Sequence, residues 1–224
     1  MSDPPAVSAG SDPFDLASLV DPAHTAVVTM ELQRGLVGDL STMDELLAAA
    51  DERQVVAHTA ALLAAARPAG VAVVHCLAAF RPDRAGSFVN SPLIEQTTSS
   101  PDFLLVGSDD VQPAIELDPQ PGDVEVVHTN GYTPFTGTTM DVVLRSLGIR
   151  TIVATGVTLN AGIIGLCLEA VALGYRVVVP ADAVVGMPVD YGDAVLEHSI
   201  PWLGVVSTTT ELVATWAAAA QASG

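Results

Sequence analysis

The sequence predicts an α/β domain in three αβα layers, built on a doubly wound, mainly parallel sheet of six strands. Short β-branched runs alternate with longer helical patterns, as in repeated strand-helix-strand units. Half of the residues are apolar but only 4% are aromatic, so Val, Leu, Ile and Ala must fill the core. That is the usual filling of a parallel sheet covered on both faces. A chain of 224 residues also fits around one hydrophobic core before splitting becomes favourable. Residues 1–13, rich in Pro, Ser, Asp and Gly, read as a flexible arm, and residues 14–224 as one domain.

The first strand is read at Thr25 to Glu31, "TAVVTME". One long helix follows from about Met43 to Ala66, opened by the capping-box pattern Thr42-Met-Asp-Glu45 and stopped by Arg67-Pro68-Ala-Gly70. Val71 to Leu77 is the second strand. Residues 78 to about 122 show no period, so long loops with short helical or strand pieces are expected there, a frequent setting for function. Asp123 to Thr129 is the third strand, and Thr138 caps a helix running to about Leu147. Arg150 to Thr155 is the fourth, followed by a fully apolar helix from about Asn160 to Leu173. Arg176 to Pro180 lies in a fifth strand and a helix from Tyr191 to Ile200 follows. Leu203 to Thr208 is the sixth strand, and Thr210 to about Ala219 the last helix.

Composition narrows the function classes. The formal charge is −18, and all eight basic residues are arginines, with no lysine in the chain. Such a field repels phosphate backbones and anionic lipid, which argues against nucleic-acid and membrane-surface roles. The first residues lack the basic and apolar regions of a signal peptide, so a cytoplasmic location is expected. The two cysteines, Cys76 and Cys167, each sit in an apolar run. Core filling is the plain reading of both, with a nucleophilic role as the alternative.

In a doubly wound sheet, ligands gather outside the carboxyl ends of the strands. The residues there are Glu31, Cys76 to Ala78, Thr129 to Thr133 and Val157 to Gly162. At these strand ends the chain resembles the isochorismatase-like hydrolases, the cysteine hydrolase superfamily, over roughly residues 23 to 213. "VVTMELQRGLV" resembles the family's first strand with its Asp-x-Gln. "HTNGYTPFTGT" resembles its Lys-x-x-Tyr-Ser-x-Phe-x-x-Thr segment. "GVTLNAGIIGLCLEAVALGYRVVVPADA" resembles the stretch that carries the nucleophilic cysteine.

The resemblance implies a small-molecule hydrolase in which the family's acid or base Asp falls on Glu31, its lysine on Thr129 and its cysteine on Gly162. Relatives with glycine at the cysteine position work by acid-base chemistry without a covalent intermediate. They use a glutamine where this chain has Ala78, which argues against isochorismate itself as substrate. The resemblance also implies an oxyanion site at the Gly162 turn, beside a cis peptide matching Val157-Thr158, and relatives are commonly homo-oligomers. Some relatives hold a metal through an Asp-x-His pair that is absent here, and the five histidines are scattered, so neither metal nor cofactor is expected.

Read from the residues alone, Glu31 is the candidate general acid or base, since burial at a strand end favours the neutral form of a carboxyl. Pairing with an arginine or capping a helix is its plainer reading. The first amides of the helix after Thr158 and Leu159, around Ala161, Gly162 and Ile163, are candidate donors to an oxyanion. Arg81 and Arg84 either clamp a substrate carboxylate or lie in solvent. Tyr132, Thr133 and Phe135 are expected at the pocket wall, with Ala78, Asn130, Thr158 and Leu159 also against substrate, and Asn160 as a helix cap. Gln33 is expected to hold backbone geometry. His128 is expected to face away from the site, because successive strand side chains alternate. A catalytically silent member with a binding or assembly role is the competing reading.

Overall fold

The computed structural model describes residue 12 and residues 14–222, and the expectation for residues 1–13 lies almost wholly outside them. The strands are β1 (Thr25–Met30), β2 (Ala72–Ala78), β3 (Val124–His128), β4 (Thr151–Val157), β5 (Arg176–Pro180), β6 (Val184–Val185) and β7 (Val205–Ser207). They form one seven-stranded sheet in the order β3-β2-β1-β4-β5-β7, with β6 paired to β4, and every pairing is parallel. The sequence reading gave six strands. The seventh, β6, is only two residues long and follows a 3-10 turn, Ala181–Ala183, that returns the chain to the end of β4.

The helices are α1 (Leu16–Leu19), α2 (Arg34–Val37), α3 (Asp44–Glu52), α4 (Val55–Ala69), α5 (Pro92–Ser99), α6 (Met140–Ser146), α7 (Ile164–Ala172), α8 (Val189–His198) and α9 (Thr209–Ala222). The expected long helix from Met43 is two helices, because Gln54 adopts a left-handed conformation between α3 and α4. Thr42 does not cap it; Ser41 Oγ accepts from the Met43 N–H instead. The cap position of α6 is Thr139 and not Thr138 as expected, although the Thr138 hydroxyl accepts from the Met140 N–H at 3.0 Å.

Strand alternation divides the core into two clusters, one on each face of the sheet. Val27, Val73 and Val153 face the layer of α3, α4 and α9, where Leu62, Leu63, Leu212 and Trp216 pack. Ala26, Val28, Val74 and Ile152 face the layer containing α6, α7 and α8, with Met140, Leu144, Leu166 and Val195. The central strands β1 and β4 are buried along their whole length. The chain winds from β1 through β2 to β3 on one side and from β4 outward on the other. The winding direction therefore reverses between β1 and β4, which opens a crevice at their carboxyl ends.

Candidate active site

A cavity of about 540 Å³ occupies that crevice. Glu31 lies at its wall, one residue beyond β1 and at φ 55°. The Glu31 N–H donates to the Cys76 carbonyl at 2.9 Å, which continues the sheet while the turned backbone re-aims the side chain. The carboxyl is 22% exposed, and no arginine pairs with it; its partner is His128, whose Nε2 lies 3.0 Å from Glu31 Oε1.

His128 corrects the sequence reading. Along β3, Val126 and His128 are buried while Glu125 and Val127 are exposed, so alternation turns His128 inward. The strand ends there, and Thr129 passes into the following loop. Thr129 is absent from the cavity wall, and its carbonyl accepts from Ser87 Oγ at 2.6 Å. Counting back three residues from Tyr132 selects Thr129, whereas the inward residue at the strand end is four back. Gly131, at φ 70°, lies in this intervening stretch. The signal that would have found His128 is its own parity with the buried Val126. The His128 imidazole is 4% exposed and its Nε2, although close to Glu31, has no aligned hydrogen-bond partner. The two groups are in contact without an aligned hydrogen bond between them.

Opposite Glu31, the chain leaves β4 through a cis Val157-Thr158 peptide into a π-helical turn, Leu159–Ile163, as the resemblance implied. Thr158, Asn160, Ala161 and Gly162 line the cavity. The Ala161 and Ile163 N–H groups both donate to the Thr158 carbonyl at 3.1 Å, so neither is available to an oxyanion as expected. A Cβ added at Gly162 would stand 3.1 Å from both Met30 Cε and the Val157 carbonyl. The side-chain space at this position is therefore already taken by Met30. Asn160 does not cap its helix; its amide donates to the Met187 carbonyl at 2.8 Å and accepts from the Met187 N–H at 2.9 Å.

Ala78 and Tyr132 join the wall as expected. Tyr132 also hydrogen-bonds to Ser91, which caps α5 by accepting from the Ile94 N–H, and so links the loop after β3 to that helix. Phe135 is displaced from the expected wall: it is buried in the core and meets the Tyr175 ring at 5.9 Å. Glu169 on α7 fixes that segment by accepting from the Phe135 N–H and the Thr136 hydroxyl. Asn130 lies against Gly137 and Leu159 is buried in the core cluster, so neither lines the cavity. Arg81 is engaged with Asp83 in solvent, which removes it as a clamp. Arg84 donates to the Ser100 and Pro101 carbonyls and stacks over Phe80.

Gln33 holds backbone, as expected. It is fully buried, donates to the Ala78 and Val111 carbonyls at 2.9 Å and accepts from the Ala78 N–H at 2.7 Å. Neither thiol lines the cavity. Burial, reinforced by the Glu31 charge, pushes the Cys76 thiol well above its usual range, and burial pushes Cys167 up to about 12. Among the described residues, no group of three or more His, Cys, Asp or Glu is arranged to hold a metal, and no helix is long and apolar enough to cross a membrane.

Comparison with known proteins places this geometry. The chain is 30% identical over 216 residues to the ureidoacrylate amidohydrolase RutB of Rhizobium rhizogenes, covering 89% of this chain and 86% of the relative. An isochorismatase family protein from Burkholderia thailandensis is 31% identical, with a TM-score of 0.71 over 87% of this chain and 96% of that one. A cysteine hydrolase from Pseudomonas syringae pv. phaseolicola superposes with a TM-score of 0.77 at 25% identity, over 90% of this chain and 96% of that one. The isochorismatase domain family model matches residues 25–211, from the first residue of β1 into α9. The chain therefore belongs to the isochorismatase family within the isochorismatase-like hydrolase superfamily.

Proposed function

We propose that the protein hydrolyses a small carbonyl substrate, an amide or ureide, by acid-base chemistry without a covalent intermediate. The observation that carries this reading is the Glu31-His128 contact of 3.0 Å on the wall of a cavity that also exposes the Gly162 turn. In this reading the family's cysteine position is Gly162, with Met30 filling its side-chain space, and no thiol reaches the substrate.

Glu31 takes a proton from water, and His128 beside it holds the Glu31 carboxyl in position. The water oxygen adds to the substrate carbonyl carbon, so the carbonyl electrons move to oxygen. The Gly162 N–H receives that oxyanion, since its neighbours at Ala161 and Ile163 are bonded to Thr158. Collapse of the intermediate breaks the C–N bond, and the departing nitrogen takes the proton from Glu31. Atoms and charge balance with water as the only co-reactant.

Relatives named for ureidoacrylate hydrolysis make amides and ureides the first compounds to test. A panel of amides, ureides including ureidoacrylate, hydrazides, lactams and enol ethers is assayed with wild type and Glu31→Gln. The reading expects turnover of at least one amide or ureide and a loss of about 10²- to 10⁴-fold in kcat on the substitution. Turnover indifferent to Glu31→Gln removes Glu31 from the mechanism. No turnover of any member favours the silent reading, in which the same cavity binds without reacting.

A further inference from the structure

The cavity carries a charge pattern that hydrolysis by itself does not require. Among the described residues, its wall holds three carboxyl groups, Glu31, Asp44 and Glu45, and neither arginine nor lysine. Of the arginines closest in sequence to wall residues, Arg34 pairs with Asp39 and Arg81 with Asp83, while Arg84 stacks over Phe80, donating through Nη2 to two backbone carbonyls and leaving Nη1 buried without a partner. Asp44 and Glu45 open the first turn of α3 at the exposed rim, and neither forms an ion pair among the described residues. Across from them α5 presents the uncharged Leu93, Ile94, Gln96 and Thr97.

Such a site discriminates by charge. A substrate carboxylate entering here would shed water with no arginine or lysine on the wall to meet it, and would approach three groups of its own sign. An ammonium or an uncharged polar group meets the rim carboxylates, while an apolar body packs against Leu46, Phe80, Ile94 and Phe103. The wall also contains the His128 imidazole, 4% exposed, whose Nε2 lies 3.0 Å from Glu31 Oε1 without an aligned hydrogen bond. We infer that the site takes a substrate with a carbonyl end at His128 and Glu31, an apolar middle, and an ammonium at the Asp44-Glu45 rim, and that it rejects carboxylates. This rests on the hydrolytic reading for which bond reacts, but the charge selection stands on the cavity alone.

The test is calorimetric binding of three unreactive or slowly reacting probes of one shape: 3-phenylpropylammonium, 3-phenylpropanamide and 3-phenylpropanoate, with wild type and with D44N/E45Q. Both substituted side chains are exposed, so the exchange leaves the core untouched. The ammonium is expected to bind about tenfold or more tightly than the carboxylate, and the ratio to fall to within about threefold in the double variant. Carboxylate binding as tight as ammonium binding, no measurable ammonium binding, or a ratio unmoved by D44N/E45Q overturns the inference. Because the ammonium and carboxylate contain no hydrolysable bond, their binding is read independently of turnover. Failure of the panel assay with charge selection intact would sink the hydrolase reading alone.

Discussion

Glu31 and His128 touch at 3.0 Å although they come from β1 and β3, which are not neighbours; β2 runs between them. Strands two places apart are separated by about 10 Å, so both side chains must lean over the intervening strand. The residue of β2 in register with His128 is Ala78, and its methyl leaves the space in which they meet. Ala78→Leu is therefore expected to part the pair without touching either charge. A displacement of about 1 Å costs roughly 10²-fold in rate, and the extra methylenes cost about 1–3 kcal/mol in stability. Steady-state kinetics and thermal unfolding of the variant check both figures, and full activity with a leucine at 78 would show that the contact is not used.

The pair is also expected to act as a unit. Glu31→Gln and His128→Gln each remove one member, and if both serve the same proton transfer the double variant should lose little beyond the worse single one. Rates of the four proteins on one substrate complete the cycle. Strictly multiplicative losses would mean that the two residues serve separate steps, and the joint role drawn for them would fail.

Both thiols should be dispensable for turnover. Cys76 and Cys167 are fully buried, their pKa values are raised by burial, and neither borders the cavity. Cys76→Ala and Cys167→Ala are each expected to cost about 1 kcal/mol through lost packing, with kcat unchanged. A large fall in kcat from either, in protein that remains folded, would restore a covalent mechanism.

How much of this was legible in the residues depended on the length scale of the signal. Apolar runs of five to seven residues located the long strands, but the strand order and the switch at β1/β4 are set by tertiary pairing and were not read. The two-residue β6 carries no periodicity, and the break at Gln54 lies in a sequence of good helix formers, so neither could be read. Glu31, Ala78, Tyr132, Thr158 and Gly162 line the cavity because the family's motifs sit where strands end. His128 was missed because motif spacing was given priority over strand parity. Arg81, Asn130 and Phe135 were misplaced because loop side chains have no period to fix their direction, and Leu159 because the π-helical turn carries it into the core.

The last prediction concerns stability and a buried polar line away from the cavity. His75, 1% exposed, has Nδ1 2.8 Å from the Thr29 hydroxyl and Nε2 3.2 Å from Asp123, which also pairs with Arg67 at 2.8 Å. A neutral imidazole satisfies this line, with Nε2–H donating to Asp123 and the Thr29 hydroxyl donating to Nδ1. Burial lowers the His75 pKa from the ordinary 6.5; the Asp123 hydrogen bond and charge and the Glu125 charge oppose this, and Arg67 adds to it. Burial acts to raise the Asp123 pKa, but the bonds from Arg67, the Gln120 N–H and His75 outweigh it, leaving the value below 3.8. Both groups therefore have folded values below their unfolded ones, so the unfolded chain binds the extra proton in each window. Stability from His75 is complete above about pH 6.5 and falls as pH drops from there toward the folded value, by at most about 1.4 kcal/mol per pH unit. The Asp123 contribution is lost only below about pH 3.8. Urea unfolding of wild type and His75→Gln between pH 5 and 8 isolates the first window, since the other histidines are common to both proteins. The variant should be less stable above pH 6.5 and the gap should narrow as the solution is acidified; a constant gap would mean that folding leaves the His75 pKa unchanged, and a gap that widens on acidification that His75 folds with its proton.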